Sequence, residues 1–571
     1  MSKLINTLDN FVPKQHGENA HMEHAWSTEI QDKIVQFWYQ CNRSEDIKRV
    51  AQLKNILVEL LSQLHVQYDD GYYLNILYRM IGHTRDIISG KGEYTLAYMM
   101  IDVWADFNLE LAKHALTCFV KSSDTDSNPY GSWKDIKYFC RYCLDNNRLM
   151  DHPIIQHGIS LMNEQLRVDS AQFNTNDNSS ISLVAKWIPR EDSSFKVLYP
   201  ELATQYFAEF IATAKTDESY ARAITKCKTK YRLLIAKLNT KLDTTQIKQC
   251  DKQWSKIKFD NVTSITLNKQ KKAFLNLKHN GTTKYPEDLD RINCSLHLKT
   301  HIANAITNGT SIKGLRIGME TFTKTALDII QRRTKSLLLK DETDLLNLQW
   351  KNNSTQNNAL SNFIAMVDVS GSMEGTPMHV ANALGIRIAE KSKLGKRVMT
   401  FSHQPKWVNL ENCDDFVSMT EQICTNSGLN TNFYAALDLI LSAIITSKLE
   451  PVEVENMTLV ILSDMQIDQG DPSMDYTMYE AIQRKYSETG IRLYGIPFKT
   501  PHIVFWNLRG TNGFPCLTTQ TNTSMMSGYS PVILNTFCEE GLKSLTKHTP
   551  WTCLEKILMV DRYDVLGDRL K

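Results

Sequence analysis

No stretch of the 571 residues offers the ~18–20 uninterrupted apolar residues that a membrane span requires. The opening segment, MSKLINTLDNFVPKQHGEN, lacks the apolar centre of a secretory signal. Paired cysteine spacing is nearly absent: the 12 cysteines are scattered, and the single CxxC, Cys140 and Cys143 in YFCRYC, has no second CxxC to complete a zinc set. That segment reads as two thiols on a helix face. Together these absences predict an unsecreted protein of a reducing compartment: cytoplasmic, or in the host cytoplasm or virion for a viral chain. Catalytic sets are missing too. The sequence shows no Ser-His-Asp or Cys-His arrangement at catalytic spacing, and its 15 histidines show no metal spacing. Gly90, Lys91 and Gly92 stand beside a helix start, yet lack the spacing of a Gly-rich phosphate loop and read as a turn. Proline is scarce in residues 27–166, with two.

What is present is ordinary globular composition, 42% apolar, in a length that allows three or four structural units. Residues 1–26 are polar and read as a flexible N-terminus. Residues 27–350 carry apolar residues at spacings of three and four, which predicts helices over 30–39, 47–64, 72–88, 94–120 (long enough for two), 133–143, 153–166, 296–307, 319–336 and 342–350, with others resuming near 199 and basic ones around 254–258 and 267–278. More than ten helices with short connections and no strong strand signal predict an irregular α-helical, HEAT-like repeat region. Residues 167–182 read as a polar loop and 351–361 (KNNSTQNNALS) as a linker.

The pattern then changes. In residues 362–545 apolar runs alternate with helices, predicting a doubly wound α/β domain with a mostly parallel sheet. Strands are expected at 363–367, 397–401, 458–462, 492–497 and 503–506, and helices at 378–392, 415–424, 433–447, 474–488 and 532–545. Residues 510–527 read as a loop and 546–571 as a C-terminal tail.

The α/β part is organised around residues 362–390, NFIAMVDVSGSMEGTPMHVANALGIRIAE. A buried strand ends on Asp368. Ser370 and Ser372 follow in a Gly-containing loop, and Pro377 opens a helix. A carboxylate at the carboxyl end of a buried strand sits where open α/β sheets place ligands. The donors suit a hard cation: hydroxyls can bind Mg²⁺ directly while aspartates hold its water shell. Thr431, before a helix, and Asp464, ending a second buried strand, extend the set. The two carboxylates roughly neutralise the ion and leave it short of one strong anionic ligand, so it can accept a carboxylate from another chain, or a phosphate oxygen. A solvated Ser-rich turn has the same pattern.

The order Asp-x-Ser-x-Ser, Thr, strand-Asp resembles the metal-ion-dependent adhesion site of von Willebrand factor A domains. The resemblance implies Ser370, Ser372 and Thr431 as direct ligands of Mg²⁺ (or Mn²⁺ or Ca²⁺), with Asp368 and Asp464 acting through water, and an acidic protein ligand at the open position. DSSF at 192–195, DVSGSM with GTPM, LNTNF around Thr431, VFWNLRG and SGYSP together resemble a family of uncharacterised plant and giant-virus proteins that pair a helical region with a C-terminal von Willebrand A-like domain. Asn- and Ile-rich composition leans toward the viral branch. In layout the chain is also similar to the TROVE (Ro autoantigen) ribonucleoproteins, which implies binding of structured or single-stranded RNA.

Charge is uneven although the net is +2. Residues 221–280 hold 15 Lys/Arg against 3 Asp, and residues 401–480 hold 2 Lys against 13 Asp/Glu. Arg222, Lys226, Lys228, Lys230 and Arg232, interleaved with Tyr231 and leucines, are the candidate nucleic-acid-binding residues. Alternatively the basic and acidic segments dock on each other, or the lysines form a solvated face. The expected function is thus a non-enzymatic binding scaffold with a metal-dependent ligand site, with RNA as one partner. A protein–protein adaptor without RNA is the alternative. A metal-dependent hydrolase using Asp368, Asp464 and Asp468 comes last, because Ser370 stands where a phosphatase of that type needs its second acid.

Overall fold

The computed structural model describes residues 14–44, 46–67, 71–122, 128–175, 181–333, 339–424, 432–468, 476–538 and 547–570. It is a mixed α/β structure with an N-terminal helical region and a C-terminal six-stranded sheet. In chain order the strands are β1 (Lys14–His16), β2 (Met22–His24), β3 (Asn362–Asp368), β4 (Arg397–Phe401), β5 (Lys406–Asn409), β6 (Met457–Ser463), β7 (His502–Asn507) and β8 (Thr523–Ser527). The six-stranded sheet has the order β5-β4-β3-β6-β7-β8 and is parallel except for the β4–β5 edge pair.

The central strands are apolar throughout because helices cover both faces of a parallel sheet. The helix Thr376–Lys391 lies on β3, β4 and β6. It approaches closely at Gly385, where an added Cβ would stand 2.5 Å from Val367 Cγ2. From β3 the chain winds one way to β4 and β5. It then crosses back to β6 on the other side of β3 and continues to β7 and β8. The strand order therefore reverses between β3 and β6, the position at whose carboxyl ends open α/β sheets place their ligands.

The expected helices of the N-terminal half form with small shifts: Ile30–Gln40, Ile47–Gln67, Tyr72–Arg85, Thr95–Phe107 and Leu109–Cys118 (the predicted pair), Trp133–Asp145, Leu289–Thr307, Met319–Arg333 and Lys340–Ser354. The helix from Pro153 runs on to Asn174, through half of the predicted loop, and Asp169 is buried there because it accepts from Ser182 Oγ at 2.6 Å. A small second core gathers Phe259, Phe274, Leu298 and Leu345. The main core is continuous from Ile30 to Leu566 and includes every strand of the large sheet. The packing is thus not confined to chain neighbours. The helix Ile30–Gln40 lies against β8 and against the C-terminal helix Pro550–Leu558.

Several expectations are corrected. Residues 492–497 are not a strand: the helix Met478–Tyr494 buries Met478, Ile482, Tyr486 and Thr489 at helical spacing and ends at Gly495, whose φ of 71° is left-handed. The last strand lies instead inside the predicted loop, at β8. Its sequence TSMMS is buried at every position because its hydroxyls are bonded, Ser524 Oγ to His502 Nε2 at 3.0 Å and Ser527 Oγ to the Trp38 carbonyl at 3.0 Å. Pro531–Phe537 is a 3-10 helix, and the rest of the helix predicted over 532–545 lies largely outside the described residues. Residues 14–24 form the β1–β2 hairpin, tied to the sheet's loops by backbone bridges Ala20–Asp468, Met22–Thr477 and His24–Phe514. The C-terminal segment is docked, with Arg562 Nη2 donating to Asp86 Oδ1 at 2.6 Å and Tyr563 Oη to Asp86 Oδ2 at 3.1 Å. The expected linker is a clamp. Lys340–Ser354 is helical, and Asn353 and Asn357 are buried on Arg387.

Among the described residues no helix is long and apolar enough to cross a membrane.

Candidate functional site at the carboxyl ends of β3 and β6

Register places the site. Val367 pairs with Leu462 across β3 and β6, so the next residues, Asp368 and Ser463, end the two strands side by side. Ser463 Oγ donates to Asp368 Oδ2 at 2.6 Å. The Ser370 amide donates to Asp368 Oδ1 at 3.0 Å, turning the chain sharply after the strand. That turn brings Ser370 Oγ within 3.1 Å of Ser372 Oγ. Asp368 and Ser370 are fully buried and Ser372 is half-buried, so the hydroxyl pair reaches from the sheet end toward solvent.

Asp464 follows directly after β6 and is also fully buried. Its Oδ1 accepts from the Gln466 amide at 3.1 Å, and Thr511 Oγ1 donates to its carbonyl at 3.1 Å. Among the described residues the cationic group bonded to it is Arg509, at 3.4 Å from Oδ2, on a side chain 43% exposed. Burial, reinforced by the negative charge of Asp464, pushes the Asp368 carboxyl up to about 7. Two buried carboxylates facing one loosely held arginine leave the site short of positive charge. A divalent cation fits that deficit, with the paired serine hydroxyls as neutral donors. Among the described residues no group of three or more His, Cys, Asp or Glu side chains could hold a metal, so any ion here depends on hydroxyls.

Four of the five expected metal-site residues therefore converge. The fifth, Thr431, lies outside the described residues. Its neighbour Asn432 donates its amide to the Ser402 carbonyl at 3.0 Å and caps the helix Phe433–Ser447, so that helix starts beside the end of β4. Ser463 and Arg509 were missed by sequence reasoning. Ser463 is the single hydroxyl closing the apolar run MTLVILS, and Arg509 follows the buried strand HIVFWN. The rule that singled out Asp368, polar residues at the carboxyl end of a buried strand, reaches both. Asp468 belongs to the bridge with Ala20 of the hairpin.

The basic residues lie elsewhere, on the helix Asp217–Leu242. It buries only Ala223, Cys227, Tyr231 and Leu238 and packs on the helices Pro153–Asn174, Val184–Trp187, Tyr199–Tyr206 and Ala208–Ala212. Among the described residues its main packing partners are thus helical neighbours, none of them in the acidic segment 401–480. Lys226 and Lys230 stand over the Phe210 ring at 3.9 and 4.8 Å, Lys228 pairs with Glu191 at 3.7 Å and Arg222 with Glu218 at 3.5 Å. Arg222, Lys226, Lys230 and Arg232 are exposed.

The remaining motifs are structural. Cys140 and Cys143 are buried in Trp133–Asp145, and burial pushes the Cys140 thiol up to about 12. Lys91 of the GKG turn is buried, with Nζ donating to the Trp38 carbonyl at 2.7 Å, the Cys41 carbonyl at 3.1 Å and Ser527 Oγ at 2.5 Å.

Residues 362–556 match a family model described as a domain of unknown function, DUF7788, and residues 158–353 match another, DUF2828. The first match begins on the first residue of β3 and the second ends within the helix Lys340–Ser354. The chain is also 28% identical over 491 residues to an uncharacterized protein of Acanthamoeba polyphaga mimivirus, covering 81% of this chain and 76% of that one. These findings fit a family of uncharacterised proteins with a giant-virus member.

Proposed function

We propose that the protein is a non-enzymatic binding scaffold whose Asp368-x-Ser370-x-Ser372 loop, with Thr431 and Asp464, holds Mg²⁺, or Mn²⁺ or Ca²⁺ in its place, and takes an acidic oxygen from a partner protein. The observation that carries this reading is the pair of buried carboxylates at the strand-order reversal, Asp368 beside two aligned hydroxyls and Asp464 beside a half-exposed arginine. A sheet with this order and an Asp-x-Ser-x-Ser loop after its inner strand is the arrangement expected of a von Willebrand A-like domain. The bound ion would supply a Lewis-acid position for a carboxylate. The protein's own residues supply neutral hydroxyl donors, which leave the ion electrophilic, and a dry carboxylate base beneath it. The reading is tested by Mn²⁺ titration followed by electron paramagnetic resonance. Wild-type binding that Ser372→Ala and Asp464→Asn both lose upholds it. A wild-type protein indifferent to Mn²⁺ and Mg²⁺ sinks it.

The exposed basic face of Asp217–Leu242 favours a second, compatible reading, an RNA-binding surface in a TROVE-like layout. Its support is that Arg222, Lys226, Lys230 and Arg232 are exposed on a helix whose buried face is made of Ala223, Cys227, Tyr231 and Leu238. Nucleic acid content of the protein purified at moderate salt tests it. Protein free of nucleic acid, with no affinity for RNA, returns the adaptor reading.

A further inference from the structure

The helix Trp133–Asp145 sets Lys134, Lys137, Tyr138 and Arg141 at spacings of three and four, on one face. The short helix Val184–Trp187 packs on it and brings Lys186 and Trp187. Arg190 and Phe195 follow in the next turns. Rings and ammonium groups then alternate. Lys134 Nζ stands over Tyr94 at 4.7 Å and Tyr138 at 4.8 Å. Lys137 Nζ stands 5.9 Å from Tyr138 and 5.0 Å from both Trp187 and Phe195. Lys186 Nζ stands 5.7 Å from Trp187, and Tyr138 meets Phe195 edge to face at 4.8 Å.

No anion balances these cations. Among the described residues, the ammonium groups of Lys134, Lys137 and Lys186 and the Arg190 guanidinium have neither an ion pair nor a hydrogen bond. The neighbouring acids are engaged elsewhere: Asp135 holds Arg85 at 2.6 Å, Asp145 holds Arg141 at 2.8 Å and Glu191 holds Lys228 at 3.7 Å. Asp192 is exposed and pairs with none of the four. The three lysines are half-buried and Arg190 is exposed. Burial and the charges of Lys134 and Arg190 hold Lys137 down at about 8, and burial lowers Lys186. A ring face attracts an ammonium but brings no charge to neutralise it. The N–H donors of all four groups are therefore free for an anion.

We infer that this lysine–aromatic face grips single-stranded RNA, with phosphates on Lys134, Lys137, Lys186 and Arg190 and a base against Tyr138, a proposal that takes its ligand class from the RNA reading and adds a second surface to it. Tyr138 is 39% exposed, so its ring is within reach of a base. Cations interleaved with open rings suit a strand whose phosphates and bases alternate. The carboxylates of an acidic protein leave such rings unused. A duplex hides its base faces, so the rings select single strands. The face also adjoins the basic helix, because Val184–Trp187 packs on Asp217–Leu242 as well as on Trp133–Asp145, and Glu191 with Lys228 lies at the seam.

The test uses the full chain and fluorescein-labelled oligouridine, read by anisotropy across a range of salt. Arg190→Gln, Lys186→Gln and Lys137→Gln are each expected to weaken binding about fivefold and to make the logarithmic salt slope shallower by about 0.7, the share of one phosphate on a single strand. Tyr138→Ala is expected to weaken binding about fivefold or more with the slope unchanged. Wild-type affinity and slope in both Arg190→Gln and Lys186→Gln overturn the face, whatever the fate of Lys137→Gln. The double variant Lys226→Glu/Lys230→Glu separates the two surfaces. Binding lost there and intact in the Arg190 and Lys186 variants overturns this face and leaves the basic helix standing. Binding lost in the Arg190 and Lys186 variants and intact in the double variant upholds this face and removes the helix. Tighter binding of hexaglutamate than of oligouridine, also lost in Lys186→Gln, overturns the assignment to RNA. A wild-type chain with no affinity for oligouridine overturns both surfaces.

Discussion

Arg387 Nη1 donates to Asn357 Oδ1 at 2.8 Å across the junction between the helical half and the sheet. Nη2 donates to Asn353 Oδ1 at 3.1 Å, and the guanidinium carbon lies 4.2 Å over the Trp350 ring. Asn357 Nδ2 in turn donates to the Pro531 carbonyl at 2.7 Å, and Asn353 Nδ2 to the Gly314 carbonyl at 3.2 Å. One buried cation thus organises two asparagines that hold three parts of the chain together.

Removing it strands those amides. Arg387→Ala is expected to cost ~3–5 kcal/mol, the penalty for breaking a buried polar cluster from one side. Urea midpoints at constant slope measure it. Arg387→Lys, which keeps the charge and loses the fork, should fall between the two.

A second buried pair behaves alike. Arg85 Nε and Nη2 donate to the two oxygens of Asp135 at 2.6 and 2.8 Å, and Tyr98 Oη donates to Oδ1 at 2.7 Å. Asp135→Ala leaves a buried guanidinium unpaired and also removes the cap of the helix Trp133–Asp145. A loss of ~3–5 kcal/mol is expected, with a matching drop in denaturation temperature.

Acid should destabilise the fold through His83. It is buried between Trp38 and Tyr563, and burial, assisted by the nearby Lys91 charge, holds its pKa down at about 3. An unfolded histidine titrates near ~6.5. The unfolded chain therefore binds the extra proton between these values. His83's contribution is full above pH ~6.5 and is lost at up to ~1.4 kcal/mol per pH unit as pH falls toward 3. His83→Gln should flatten stability against pH over that window. An unchanged slope rejects His83 as the group responsible.

Metal should stabilise the native state by mass action. At a hundredfold excess over its dissociation constant, Mg²⁺ is expected to add ~2.7 kcal/mol, abolished by chelator and absent in Ser372→Ala. Thermal melts with and without chelator measure it.

The basic helix makes a separable prediction. Reversing Lys226, Lys228 and Lys230 to Glu should leave the melting temperature within a few degrees, since the exposed Lys226 and Lys230 lose their contacts over the Phe210 ring and Lys228 a weak ion pair with Glu191. RNA retention, if carried by this face, falls and its salt dependence becomes shallower. Retention equal to wild type assigns those charges to solvation alone.

The strands β3, β4, β6 and β7 were legible because a strand covered on both faces must be apolar at every position, and FIAMV, RVMTF, TLVIL and HIVFW are nearly so. Asp368, Ser370, Ser372 and Asp464 were legible as the first polar residues past such runs. The strand β8 was hidden because Ser524 and Ser527 are buried by bonding to His502 and Trp38, which lie far from them in sequence. The strand β5, KWVN, is a half-exposed edge and carries little apolar signal. The hairpin β1–β2 was hidden for a similar reason. His21, Glu23 and His24 read as solvent residues, and contacts distant in sequence, the Gln466 side chain 3.4 Å from Glu23 and the Phe514 backbone, help turn them inward.

The bond from Lys91 to Ser527 spans 436 residues. At a synthesis rate of ~5–20 residues per second the serine leaves the ribosome roughly 20–90 seconds after the lysine. For that interval the helix Ile30–Gln40, whose inner face belongs against β8, has no strand to lie on. The N-terminal helices must wait, partly uncovered, for the last strand to be made, so the fold closes on itself only when its two ends meet.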